Sequence, residues 1–166
     1  MNQLTPSQKK QIKRDIAPRI AFIQSCWHKA IVDQCRQAFV ARMAALGFAR
    51  KKIDFYDVPG GFEIPLHAQR LAKSGRYAAI VAAGLIVDGG IYRHEFVAQA
   101  VIGALMSLQL EHEVPIISAV LTPRNFHEHE THRRFFHEHF RVKGAEAAEA
   151  CTRTIENLGR LKRLCA

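Results

Sequence analysis

A single α/β domain is the fold this sequence predicts: a three-layer sandwich with a doubly wound, mainly parallel four-stranded sheet flanked by helices. Short apolar runs alternate with stretches of helical period from residue 19 onward, which is the pattern of strand–helix crossovers. Runs such as Ala78 to Ala83 are wholly apolar, as strands covered on both faces must be. No repeat, low-complexity tract or linker divides the 166 residues, so residues 19–166 are expected to share one core.

The elements follow in order. Residues 1–18 carry Lys9, Lys10, Lys13 and Arg14 and little apolar content, so they read as a mobile N-terminal arm. Arg19 to Gln24 is short and apolar, a buried first strand. Lys29 to Leu46 places Ile31, Val32, Cys35, Phe39, Met43 and Leu46 at three- and four-residue steps, giving a helix with one core-facing stripe that ends at Gly47. Lys52 to Val58 alternates more, which suits an edge strand. Phe62 to Lys73 is the next helix, with Pro65 in its first turn where a missing N–H does no harm. Tyr77 to Val87 is the central strand, Arg93 to Leu110 a long helix, and Val114 to Leu121 another strand. A histidine-rich helical segment, Phe126 to Phe140, precedes a last helix from Val142 to Leu164. Its inner stripe is expected to be Ala147, Ala148, Cys151, Ile155, Leu158 and Leu161.

Composition narrows the setting. Hydrophobic residues make up 48%, within the globular range, so wholesale disorder is not expected. A formal charge of +9 favours anionic partners, although much of the excess lies at the chain ends. Cys26, Cys35, Cys151 and Cys165 have no Cys-x-x-Cys spacing and read as free thiols of a reducing cytoplasm. No apolar run reaches membrane-spanning length, and no apolar h-region precedes Ile20. A cytoplasmic protein is the expectation, with no membrane partner.

In a sheet of this kind ligands bind beyond the carboxyl ends of the strands. That rule selects four loops: Ser25–His28, Val58–Glu63, Ile86–Arg93 and Ser118–Arg124. Gly89 and Gly90 sit just before a helix start, where bare amides and the helix dipole suit an anion. Arg93, His94 and Glu95 follow as a fixed cation, a titratable imidazole and a carboxylate. Trp27 is the only tryptophan; it is either a stacking platform for a heterocycle or a half-buried packing residue. Glu63 either accepts hydrogen bonds from sugar-like hydroxyls or complements the dipole of its own helix, and both roles can hold together.

Other chemistries fit less well. Gln24-Ser-Cys-Trp27 lacks the preceding Cys-Gly of a papain-type nucleophile, so Cys26 is not the expected catalytic group. His129-Glu130-Thr131-His132 is one residue short of His-Glu-x-x-His, and the pairs His127/His129 and His137/His139 point apart on a helix. His129 and His132 could share a face with Glu128, but a solvated face is expected there and no metal. His132 with a neighbouring arginine suits a phosphate instead. Neither Gly-x-Gly-x-x-Gly nor the Walker pattern occurs. A basic face with interleaved aromatics is also missing, so nucleic acid is not an expected partner.

The ordered set Trp27, Val58-Pro-Gly-Gly-Phe-Glu63, Gly84-Leu-Ile-Val-Asp-Gly-Gly-Ile91 and Lys143-Gly144 resembles the 6,7-dimethyl-8-ribityllumazine synthase family from about Arg19 onward. Tyr92-Arg93-His94 and the histidine-rich insertion are similar to its second-type bacterial members. The resemblance implies a transferase of riboflavin biosynthesis that condenses 5-amino-6-(D-ribitylamino)uracil with (2S)-2-hydroxy-3-oxobutyl phosphate, without metal or organic cofactor. It implies pyrimidine and ribityl contacts from Trp27, Gly61, Phe62, Glu63, Leu85, Ile86, Val87 and Ser118. Phosphate would meet Gly90, Ile91, His132 and Lys143. Arg93 and His94 would be the catalytic pair, Arg93 standing where most members carry a histidine. Arginine stays protonated and makes a poor acid or base, so it suits the leaving phosphate while His94 or solvent moves protons. The resemblance also implies a flavodoxin-like fold and a site shared between subunits of a homopentamer, doubled to a decamer in second-type members. Ser118 and His132 would then come from the adjacent chain. A lumazine- or flavin-binding carrier on the same scaffold is the competing reading.

Overall fold

A computed structural model describes residues 19–88 and 93–164. The expected arm, residues 1–18, therefore lies outside the described residues, as do Cys165 and Gly89 to Tyr92 with the proposed phosphate ligands Gly90 and Ile91. The described chain runs β1 (Arg19–Ser25), α1 (Lys29–Ala45), β2 (Ile53–Val58), α2 (Ile64–Lys73), β3 (Tyr77–Leu85), α3 (His94–His112), β4 (Ile116–Leu121) and α4 (Glu130–Leu164), with single 3₁₀ turns at Arg50–Lys52 and Gly61–Glu63. The strands pair in parallel in the order β2-β1-β3-β4. The expected edge strand is an edge, and the expected central strand is central.

Residue parity explains the layers. Ile20 and Phe22 of β1 face the same side as Val81 and Ala83 of β3, and α1 and α4 cover that side. Ala21 and Ile23 face the other side with Ile80 and Ala82, under α2 and α3. A strand alternates faces with every residue, so a run apolar at every position can only be satisfied by cover on both sides. The expected stripe on α1 is buried at Ile31, Val32, Cys35, Phe39 and Met43, while Leu46, just past the helix, is exposed.

The C-terminal half differs from expectation. One continuous helix of 35 residues replaces the two expected segments, and it begins at Glu130 rather than at Phe126. No proline interrupts 130–164, and Phe136, Phe140, Ala147, Ala148 and Cys151 are buried in one core along it. Burying a phenylalanine contributes about 1.5–3 kcal/mol, more than an interior glycine costs a helix. The continuous rod therefore wins over a break. Gly144, expected to open a helix, sits inside one. A methyl group there would collide with the Cys35 carbonyl oxygen, so the glycine lets α4 touch the backbone of α1. Beyond Cys151 the rod leaves the core: Ile155 and Leu158 are half-buried, and Leu161, expected inside, is exposed.

At the amino ends of the strands a polar network ties three of them together. Arg19 of β1 pairs with Asp54 of β2, the Tyr77 hydroxyl of β3 donates to Asp54 at 2.9 Å, and the Tyr56 and Tyr77 hydroxyls stand 2.6 Å apart. Arg19 holds the Asp54 carboxyl below the usual carboxylate range, and burial with these hydrogen bonds raises the Tyr77 phenol.

Both the helix contact and the Asp54 pair are open to test. Gly144→Ala should destabilise the protein by about 1–3 kcal/mol through overpacking. Gly159→Ala, where a methyl meets nothing within 4 Å, should stabilise it by about 0.5–1 kcal/mol; equal thermal midpoints for the two variants would refute the backbone contact. The Asp54 pair carries a pH signature. Its folded pKa lies below the unfolded value, so its stabilisation is complete above about pH 3.9. It is lost as pH falls through the folded value. Urea unfolding between pH 6 and pH 2.5 should therefore show a shallower acid decline for Asp54→Asn than for the native chain, and parallel curves would remove Asp54 from the acid response.

Candidate functional site at the sheet's carboxyl rim

The chain crosses from β1 to its neighbour β2 on one side and later builds β3 and β4 on the other. Loops leaving β1 and β3 therefore diverge at the carboxyl rim, the place where sheets of this topology take their ligands. Backbone bonds tie the rim together: the Cys26 N–H donates to the Val58 carbonyl at 2.8 Å and the Ile86 N–H to the Leu121 carbonyl at 2.9 Å.

Loop residues expected to bind a pyrimidine gather here in part. Trp27 is 64% exposed and Phe62 57%, so both present open aromatic surface at the rim. A methyl on Gly60 would lie 3.5 Å from the Trp27 ring and 3.1 Å from Glu63 Oε2, and one on Gly61 3.2 Å from Ile86 Cδ1. Absent side chains at both glycines thus let the second loop lie against the first and the third. Glu63 Oε2 accepts the Gly60 N–H at 2.8 Å, which closes that turn as a capping box does. Leu85 and Ile86 are buried and Val87 half-buried. The Ile86 N–H is already bonded, so it is not open to a ligand. Ser118 lies within β4 rather than in the loop after it. Its exposed hydroxyl accepts the Val120 N–H at 3.3 Å.

His28 holds a left-handed backbone, φ 52°, a conformation that costs free energy in a non-glycine residue. Its ring packs edge-on against Phe126 at 5.1 Å between centroids, and Phe126 against Phe136 at 5.4 Å. This aromatic contact fastens the turn carrying Trp27 to the loop after β4. Burial lowers the His28 pKa, partly offset by Glu128. Phe126 thus serves as a loop anchor and not as a helical residue.

The start of α3 brings four polar groups together. Asp88 Oδ1 accepts the His94 N–H at 3.0 Å and lies 2.9 Å from His94 Nδ1; Glu95 Oε2 is 3.7 Å from the same nitrogen. The Nδ1 contact is close but off the line of a good hydrogen bond, so its strength is electrostatic. The His94 backbone N–H first, and its ring nitrogen beside the same oxygen second, hold the Asp88 carboxyl below its ordinary range. His94 is buried at 7% exposure. The Arg93 side chain stands in the open, 5.2 Å over the Phe96 ring and 3.9 Å from Glu95. Asp88, His94 and Glu95 place one ligand atom each within 4.8 Å of one another, a spacing that a divalent cation could also span. Residue pattern assigns Asp88 no role, because it reaches the helix from six positions away in sequence.

In the histidine-rich segment the His127 N–H donates to His132 Nδ1 at 3.2 Å. The His132 lone pair is thereby placed on Nδ1, and its Nε2 remains to donate. His129 and Glu128 precede the helix, so they do not share a helical face with His132. Lys143 is bonded to Glu146 at 2.7 Å on its own helix.

Comparison with known proteins gives this rim a context. The family described as 6,7-dimethyl-8-ribityllumazine synthase matches residues 17–159. The chain belongs to this family. It is similar to "6,7-dimethyl-8-ribityllumazine synthase 2" of Pseudomonas syringae pv. tomato, 60% identical over 148 residues that span 89% of this chain and 87% of the relative. A Rhodococcus erythropolis protein of the family is 59% identical, covering 84% of this chain and 90% of its own. The relative named synthase 1 in Caulobacter vibrioides is 33% identical over 89% and 94%. Within the lumazine synthase family this chain therefore stands nearer the synthase 2 of Pseudomonas syringae pv. tomato than the synthase 1 of Caulobacter vibrioides.

Proposed function

We propose that this chain is a 6,7-dimethyl-8-ribityllumazine synthase of riboflavin biosynthesis. It condenses the amine of 5-amino-6-(D-ribitylamino)uracil with the ketone of (2S)-2-hydroxy-3-oxobutyl phosphate, releasing phosphate and water. The observation that carries this reading is the family match over residues 17–159, supported by the gathering of Trp27, Gly60, Gly61 and Ile86 at the rim where the strand order reverses.

In this reading Trp27, exposed on the rim, stacks on the pyrimidine. Gly61, Phe62 and Glu63 hold the ring edge and ribityl chain, with Leu85, Ile86 and Val87 beneath and Ser118 supplied by an adjacent chain. Gly90, Ile91 and His132 receive the phosphate, with the Nε2 of His132 as donor. Lys143 joins them only by giving up its bond to Glu146. Arg93, outside the core and permanently charged, meets the leaving phosphate, while His94 exchanges protons. An amine and a ketone combine unaided, so aligning them already accelerates the reaction. No metal or organic cofactor has a step to perform.

We further propose that the chain acts in the cytoplasm as a pentamer, paired into a decamer. Phe96, Ile102, Met106 and Leu110 stand exposed along α3, and Phe62 and Leu66 near the start of α2. Several large apolar side chains exposed on one layer mark a surface that another chain covers. No helix among the described residues is long and apolar enough to cross a membrane.

Mixing the purified protein with both substrates tests the activity through lumazine absorbance and fluorescence. Turnover above the uncatalysed rate is expected; tight lumazine or flavin binding without it would instead identify a carrier. Trp27→Ala should weaken pyrimidine binding by roughly 1–3 kcal/mol, the range of aromatic stacking on a base, and an unchanged Michaelis constant for the pyrimidine would exclude the stacking role. Native mass should fall at ten chain masses, and a monomer would refute the assembly.

A further inference from the structure

The proton-handling group needs more than its presence at the rim. A neutral imidazole can carry its proton on either nitrogen, and the partner of one nitrogen decides which. Of the nine histidines, His94 is the one buried to 7% exposure with a carboxylate oxygen 2.9 Å from Nδ1. That same oxygen, Asp88 Oδ1, accepts the backbone N–H that opens α3 at 3.0 Å. One atom therefore meets both the helix start and the ring, so the ring cannot turn away without losing the partner that its own backbone keeps in place. Glu95 adds a second carboxylate at 3.7 Å on the same side of the ring, and Arg93 lies 3.9 Å from Glu95.

We infer that Asp88 is a positioning residue for the proposed condensation: it holds the proton of the neutral His94 ring on Nδ1 and so makes Nε2 the nitrogen that exchanges protons with the reactants. The inference rests on the synthase reading for its catalytic consequence, not for the geometry. A carboxylate beside an imidazole nitrogen stabilises the tautomer with hydrogen there, because the positive N–H dipole then lies close to the negative oxygen even without hydrogen-bond alignment. Asp88 itself remains largely in solvent, its side chain 59% exposed. Its charge is hydrated, and the arrangement does not require burying an anion.

Asp88→Asn and Asp88→Ala separate the two duties of this oxygen. The asparagine carbonyl can still accept the His94 N–H, since Asn caps helix starts as well as Asp, but it carries no charge to hold the ring proton. Nitrogen-15 NMR of histidine-labelled protein at alkaline pH reads the tautomer directly, with His94→Gln assigning the signal. The native chain should show the Nδ1–H form. Asp88→Asn should show a mixture, with the melting temperature and Michaelis constants near native and kcat lowered about tenfold, a modest share of a general acid–base contribution. Asp88→Ala should also melt lower. Persistence of the Nδ1–H form in Asp88→Asn overturns the proposal whatever the rate does, and so does an unchanged kcat beside an altered tautomer. A native chain that fails to turn over both substrates would count against the synthase reading, while the tautomer comparison would still decide whether Asp88 sets the ring.

Discussion

Burial of β1 and β3 on both faces constrains everything else in this chain. A strand covered above and below can be joined to a parallel neighbour only by a crossover, and each crossover returns the chain to the same end of the sheet. All four strands of the described sheet consequently deliver their following loops to one rim. Trp27, Gly60 to Glu63, Ile86 to Asp88 and the loop holding Phe126 come from distant parts of the sequence and share an edge for that reason. Chain reversal between β2 and β3 then parts the loops, the arrangement at which such sheets take ligands.

The rim is held by small contacts instead of a deep core. Two glycines bring the second loop against Trp27 and Ile86, and the strained His28 rests on Phe126. Trp27 and Phe62 nevertheless remain open to solvent. Aromatic side chains left open in one chain fit the proposal that a neighbouring chain completes the site, and the exposed apolar side chains of α3 favour the same arrangement.

Charge is divided at the start of α3. Arg93, permanently cationic, is held at the surface, whereas His94, which can lose its proton, is buried against Asp88. In the proposed condensation a developing anion and a moving proton ask for these two kinds of group. Arg93 stands just ahead of the helix and His94 is its first residue.

Periodicity alone makes the strand and helix order legible, since Ile20 to Ile23 and Ala79 to Ala83 admit burial on both faces and the stripe from Ile31 to Met43 admits only one. Motif order likewise points to the rim loops and the family. Local pattern places a helix boundary near Arg141 that the fold does not have, because a glycine in sequence looks the same whether it ends a helix or lets two helices touch; only the approach of Gly144 to the Cys35 carbonyl distinguishes them. Phe126 reads as helical because its partners, His28 and Phe136, are distant or buried, and residue spacing does not report such contacts. Asp88 gives no local signal, since a carboxylate that meets a helix start from six residues away falls outside any local capping pattern. The sequence by itself determined which segments form the layers and where their loops must emerge, because local period and burial set both. Tertiary structure alone decided which side chains meet across those loops, because these contacts depend on distances between segments that no local pattern encodes.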